Sequence, residues 1–274
     1  DYTYFGMRKQ LVVATSMFPA LTALELSFNI DGLPVFRSTN GSIWPIQCLI
    51  NNLPDQKPFV VALFYGSHKP SDQDFLEDFV NELKDLMEDG LEMPNGTRLR
   101  IITKFFICDA PARALVKGIT QFNGYYGCGF CEVHGEYMNS RMFFPELGRK
   151  RTDKSFRLQR NKEHHKTLSL CLKLNIDMIF GFPLDPMHCI DLGVVKRLLL
   201  LWKSGPKPYR LSAGQLNVLS EGSYSLRTFF PREFNRKPRG FQELKLWKAT
   251  EFRTFLLYTG VVILKSVLPS DNYE

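Results

Sequence analysis

The chain has 274 residues, 44% of them hydrophobic and 23% charged, enough for one sizeable core with a smaller addition and too apolar for a disordered chain. A net charge of +7 and a pI near 9.1 hint at a polyanionic partner without selecting one. Six cysteines are too sparse for a disulfide scaffold, no signal-peptide pattern opens the chain, and Thr259, Gly260, Lys265 and Ser266 interrupt the longest apolar run, so a soluble intracellular protein with no membrane contact is expected.

Residues 24–31, 42–53 and 59–65 are strand-length apolar runs bounded by Gly, Pro or Asn, which predicts an antiparallel meander. Residues 71–89 place Phe75, Phe79, Leu83 and Leu86 at helical spacing, with Ser71 or Asp72 as N-cap and Gly90 as the stop. A fourth strand is expected over 98–108, followed by a helix over 110–122 with Pro111 in its first turn. The order is βββαβα. This is an α+β arrangement compatible with an RNase H-like core and with other folds of the same class.

Beyond residue 123 the composition changes to a Gly-, Tyr- and Cys-rich segment, a basic stretch, and helices near 185–203, 212–229 and 242–258. The expected domains are therefore a core over 1–123 and a mostly helical insertion over 124–274. From Arg149 to Lys173 nine Lys or Arg stand against two acids, and from Arg227 to Arg253 eight stand against three. Each run reads as a solvated face or as a phosphate-binding surface. Asp1 and the uncapped stretch after Leu268 suggest a piece cut from a longer protein.

Asp31 ends the first expected strand and Asp109 the fourth, which are neighbours in a βββαβα sheet. Two carboxylates at one end of a sheet can hold Mg²⁺ or Mn²⁺, hard cations that prefer oxygen. The same residues also read as a turn, Asp31-Gly32, and as a helix N-cap, Asp109. Cys128 and Cys131 have the spacing of a zinc knuckle, with His134, His164, His165 and His188 as further candidate ligands; a thioredoxin-like role is disfavoured because no strand precedes the pair, and buried unligated thiols remain open. His188, at a helix start, is a capped or core residue or part of a site. Glu251 is a third carboxylate or a partner of Lys248 or Arg253.

In their order these stretches resemble the transposase core of CACTA-like elements and related transposon-derived proteins: Asn29-Ile-Asp31-Gly32, Trp44-Pro45, Gly66-Ser-His-Lys-Pro70, Ile107-Cys-Asp109-Ala-Pro-Ala-Arg113, Gly124 to Cys131, Arg141 to Pro145, Asp185 to Lys196 and Trp247 to Gly260. The resemblance implies an RNase H-like core with a zinc-containing helical insertion. Its DDE triad cuts and joins DNA at transposon ends, with Asp31 and Asp109 matching the first two acids. It also implies a likeness to the catalytic subunit of the V(D)J recombinase, in which a zinc-binding Cys-x-x-Cys follows the second acid; here Cys128 lies nineteen residues after Asp109. In that pattern two late histidines complete the zinc site. Asp185-Pro-Met-His188 matches a Cys/Asp-x-x-His signature of eukaryotic cut-and-paste transposases.

No His-x-x-x-His precedes a glutamate here, so the third acid is expected beyond Glu274, with Glu251 as the candidate within the chain. Also implied are DNA as partner, a homo-oligomer assembled on it, and a nuclear location. Arg149, Lys150, Arg151, Arg236, Lys237 and Arg239 are the expected phosphate contacts. A domesticated, non-cleaving DNA-binding protein is the alternative.

Overall fold

A computed structural model describes residues 1–35, 41–54, 57–70, 73–269 and 273. Contacts divide the chain into two compact units, Asp1–Leu184 and Asp185–Glu274. Residues 124–184, expected to begin a separate insertion, fall within the first unit, where Phe156, Cys171, Leu174, Met178 and Phe182 are buried in its core. Phe182 stacks on Phe106 with ring centroids 5.0 Å apart.

The first unit is built on a mixed seven-stranded sheet in the order β1-β5-β4-β2-β7-β6, with β3 paired on β4. Its strands are β1 (Tyr2–Tyr4), β2 (Ala23–Ile30), β3 (Leu33–Pro34), β4 (Ser42–Ile50), β5 (Phe59–Gly66), β6 (Leu91–Glu92) and β7 (Arg98–Ile107). In β2 the alternate residues Leu24, Leu26, Phe28 and Ile30 are wholly buried, which is the period-two pattern of a sheet with one face on the core. β2, β4 and β5 form the expected antiparallel meander, and β7 runs parallel to β2 on its other side. Between β5 and β7 the chain crosses through helix α2 (Glu77–Asp89), whose Phe79, Val80, Leu83 and Leu86 are buried. Phe79 meets Phe28 edge-on at 4.9 Å. The N-cap expected at Ser71 or Asp72 lies outside the described residues.

Several features of the first unit were not expected, among them β1, helix α1 (Arg8–Thr15), and the hairpin of β8 (Glu136–Met138) and β9 (Arg141–Phe143). The hairpin turns at Asn139 and Ser140, both at positive φ, as a two-residue turn with the right-handed twist of a β ribbon requires. Helix α3 (Ala110–Lys117) follows β7 and stops at Gly118, which sits at a φ of +65°. A Cβ on Gly118 would lie 2.5 Å from the Thr167 carbonyl oxygen, so only hydrogen fits there. A short helix α4 (Asp153–Arg157) starts with a Thr152 capping box.

The second unit is helical. A π-helical stretch (Met187–Val195) leads into α5 (Lys196–Ser204), followed by α6 (Ala213–Ser225), α7 (Ala249–Thr254) and α8 (Gly260–Leu264). Leu199, Leu219, Phe241, Leu244 and Phe252 form the centre of its own core. Among the described residues no helix is long and apolar enough to cross a membrane.

Candidate functional site

The parallel ladder between β2 and β7 ends with Asn29 opposite Ile107. Asp31 follows directly on the last residue of β2 and Asp109 lies two residues beyond the end of β7, so each sits just past the end of one of two adjacent parallel strands. Asn29 ties the strands together just before this point, its Nδ2 donating to the Ile107 carbonyl at 3.0 Å. The β2–β4 ladder ends at Ile30 and Ile46, beside Pro45, whose missing N–H removes a rung from this end of the sheet. Asp31 is half-buried, and its Oδ1 accepts the Gly32 N–H at 2.8 Å. A Cβ at Gly32 would lie 2.7 Å from the Trp44 indole, so a larger residue there would have to displace that ring.

Asp109 is also half-buried and caps α3, its Oδ1 accepting the Ala112 N–H at 2.7 Å. The cap occupies one carboxylate oxygen, Oδ1. Asp31 and Asp109 thus each follow one of two neighbouring strands, β2 and β7.

Cys128 and Cys131 are also brought together, with their Sγ atoms 3.3 Å apart. Two thiolates on one tetrahedral zinc stand about 3.7 Å apart, given Zn–S bonds of about 2.3 Å. The candidate histidines do not complete a site. His134 stacks on Tyr125 at 5.2 Å, and His165 lies edge-on to Phe156 at 4.7 Å. His164 is fully buried, with Nδ1 2.6 Å from the Tyr126 carbonyl and Nε2 without a hydrogen-bond partner. Burial, reinforced by the Arg151 cation, pushes its pKa down to about 3, so it is neutral at physiological pH. Among the described residues no group of three or more His, Cys, Asp or Glu side chains is arranged to hold a metal.

Arg151 was expected on a phosphate-binding surface and is instead 4% exposed. Its Nε donates to the Cys128 carbonyl at 3.1 Å and its Nη2 to Asn161 at 2.7 Å. Arg149 and Lys150, its neighbours, are exposed.

Five of the candidates, His188, Arg236, Lys237, Arg239 and Glu251, fall in the second unit. His188 pairs through Nδ1 with Asp185 Oδ2, and Asp185 Oδ1 accepts the Met187 N–H at 2.9 Å. A carboxylate on Nδ1 fixes the tautomer and leaves Nε2 as the free ring nitrogen. Glu251 is 5% exposed and fully engaged: Arg239 Nε donates to Oε1 at 2.6 Å, and Arg239 Nη2 and the Lys248 N–H donate to Oε2 at 2.8 Å each. Burial alone would raise its pKa, but these donors outweigh burial and hold it below the usual carboxylate range. Glu251 thus anchors an internal ion pair, whose partner is Arg239, one of the expected phosphate contacts, and not Arg253. Arg236 and Lys237 remain exposed.

One notable side chain gave no signal in the sequence. Lys117, in the last turn of α3, is 2% exposed, with its ammonium 5.0 Å from the Phe156 ring centre and 5.3 Å from that of Phe182. A lysine just before a helix-ending glycine reads as a solvated C-terminal charge, and only the packing of residues 156 and 182 buries it.

No family model matches the chain, and no curated protein matches it in sequence.

Proposed function

We propose that the chain is a DDE-type transposase core that cleaves DNA strands and transfers them at transposon ends, using Mg²⁺ or Mn²⁺ held through Asp31 and Asp109. The observation that carries this reading is that β2 and β7 are adjacent and parallel, with Asp31 and Asp109 just past their ends. The strand order, three antiparallel strands and then a helix crossing to a fourth strand parallel to the first, is one that an RNase H-like core requires and other α+β folds share, and it supports the reading further. Two carboxylates suit Mg²⁺, which is commonly held by one or two protein carboxylates together with substrate phosphates.

The metal, when bound, would supply charge for the attacking and leaving oxygens of a phosphodiester. The chain contributes position: Asn29 fixes the two strands, Gly32 turns the chain against Trp44, and the α3 cap orients Asp109. Exposed Arg149, Lys150, Arg236 and Lys237 would meet the DNA backbone, and a homo-oligomer on DNA in the nucleus belongs to the same reading.

Asp109→Asn is the test. Asparagine caps a helix as well as aspartate does, so the fold is retained while the metal ligand is lost. Mn²⁺-dependent nicking of plasmid DNA should fall at least about 100-fold, a loss of roughly 2.7 kcal/mol of barrier lowering. A second reading, a domesticated DNA-binding protein without nuclease activity, is favoured by the engagement of Glu251 and by the lack of a third acid beside the pair among the described residues. Plasmid binding unchanged by Asp109→Asn, with no cleavage by the unaltered protein, would select it.

A further inference from the structure

β7 keeps an open edge over part of its length. On one side it pairs with β2 from Arg100 to Ile107, and on the other β6 covers only Arg98 and Leu99. That other side is occupied again at Phe106, whose N–H donates to the Gly181 carbonyl at 2.8 Å. Arg100 turns its N–H toward β2, donating to the Thr22 carbonyl at 3.0 Å. Main-chain groups alternate in direction along a strand, so Ile101 and then Thr103 turn theirs to the outer side. Among the described residues no backbone group bonds to Ile101 or Thr103 on that side. A row of unpaired N–H and C=O groups is a template for a further strand.

A cleft of about 410 Å³ lies along this stretch, between residues 101–103 of β7, Lys84, Met87 and Glu88 of α2, and residues 173–175. Its far wall is held from behind. Arg157 donates to the carbonyls of Leu172, Leu174 and Ile176 at 2.7 to 3.0 Å, and Leu174 is extended, with φ −93° and ψ 145°. Three cations, Lys84, Arg100 and Lys173, line the cleft against one carboxylate, Glu88. Glu88 and Lys84 stand 3.5 Å apart with side chains 60% and 42% exposed, so their pairing is weak in water. Lys173 donates to the neutral Asn81 at 3.2 Å, which leaves its charge unbalanced.

We propose that this edge accepts an extended, acidic segment of a partner protein as an added strand, its main chain bonding Ile101 and Thr103 and its carboxylates facing Lys84, Arg100 and Lys173. The cations alone would suit any polyanion; the unpaired main chain selects a peptide, since strand addition draws its affinity from main-chain hydrogen bonds. From Arg100 to Phe105 the strand runs about 17 Å at about 3.3 Å per residue, room for a partner strand of about five residues. The proposal does not depend on whether the aspartate pair cuts DNA.

The test is fluorescence anisotropy with the whole chain and a labelled hexapeptide of alternating glutamate and valine. Saturable binding is expected, and no binding at peptide or protein concentrations up to about 1 mM, the weak end of specific affinity, would overturn the proposal. The same peptide with its amides N-methylated keeps the charge and loses the main-chain donors. It should bind at least about tenfold more weakly, and equal binding would show that the edge is not used. Arg100→Glu with Lys173→Glu, both at exposed positions, should weaken the unmodified peptide by at least about tenfold, and unchanged affinity would also count against the site. Amide hydrogen exchange by NMR reads the edge directly in the unaltered protein: the Ile101 and Thr103 N–H groups should exchange more slowly once the peptide is bound, and unchanged exchange at both would overturn the added strand. Duplex DNA that displaces the peptide and slows neither amide would give the cleft to nucleic acid instead.

Discussion

Lys117 shows what a single misplaced charge does to this fold. Burial is the main cause that lowers its pKa, the Arg113 and Arg151 cations add to it, Asp177 and the Cys108 thiol oppose it, and the result is a value of about 7. The unfolded chain holds that proton up to the ordinary lysine value of about 10.4. Below pH 7 both states carry the proton and stability is level; from there upward only the unfolded state carries it, so stability rises until about pH 10.4. Lys117→Met keeps the volume between Phe156 and Phe182 and removes the proton. Denaturant unfolding should show the variant more stable at neutral pH, by on the order of 4 kcal/mol, with the alkaline rise gone. An unchanged pH profile would mean that the lysine reaches water. His164 acts in a separate window: held neutral down to about pH 3, it favours unfolding as the pH falls below its ordinary value of about 6.5.

Among the elements, α7 depends on one ion pair. Glu251 accepts the Lys248 N–H at the start of the helix and two guanidinium hydrogens of Arg239, with its side chain 4% exposed and that of Arg239 23%. Glu251→Gln keeps the shape and leaves Arg239 without its counter-charge. Urea unfolding should record a loss of about 2 to 4 kcal/mol, below the full cost for a wholly buried pair because Arg239 retains some solvent. Loss of DNA cleavage at unchanged stability would instead restore Glu251 as a third acid. The sequence shows Glu251 only as a carboxylate in a mixed helix with Lys248 and Arg253 at hand. Its true partner, Arg239, lies twelve residues away across a turn, where helical spacing has no reach. The same limit explains the rest of the comparison between sequence and structure. β2, β4, β5, α2, β7 and α3 were legible because each carries its own period and its own stop signal. β1 and α1 were not: Tyr2–Tyr4 is too short to show a period, and Arg8–Thr15 has neither a side-chain N-cap nor a regular apolar stripe. Residues 124–184 read as an insertion because they lack period, yet Phe156 and Phe182 belong to the core through contacts made far along the chain.

At the scale of the whole molecule, the net charge divides unevenly between the units. Residues Asp185–Glu274 carry 14 Lys or Arg against 8 Asp or Glu, whereas Asp1–Leu184 carries 21 against 20, so the second unit holds nearly all of the excess of +7. A polyanion would therefore be attracted chiefly by the second unit, whatever chemistry the aspartates of the first perform. Within that unit Arg239 is committed to Glu251, and Arg236 and Lys237 are the exposed cations beside it. Each phosphate contact contributes about −0.9 to the slope of log binding constant against log salt on duplex DNA. Replacing Arg236 and Lys237 together by Ala should weaken binding to duplexes of any sequence and make that slope shallower by close to 2. Arg98→Ala, which removes an exposed cation of the near-neutral unit that sits 3.9 Å from Glu92, should leave the slope unchanged. Fluorescence anisotropy titrations with one labelled duplex over a range of salt measure both. Equal slopes for all three proteins would sink the assignment of DNA contact to the second unit, while a loss confined to one duplex sequence would turn Arg236 and Lys237 from backbone contacts into base readers.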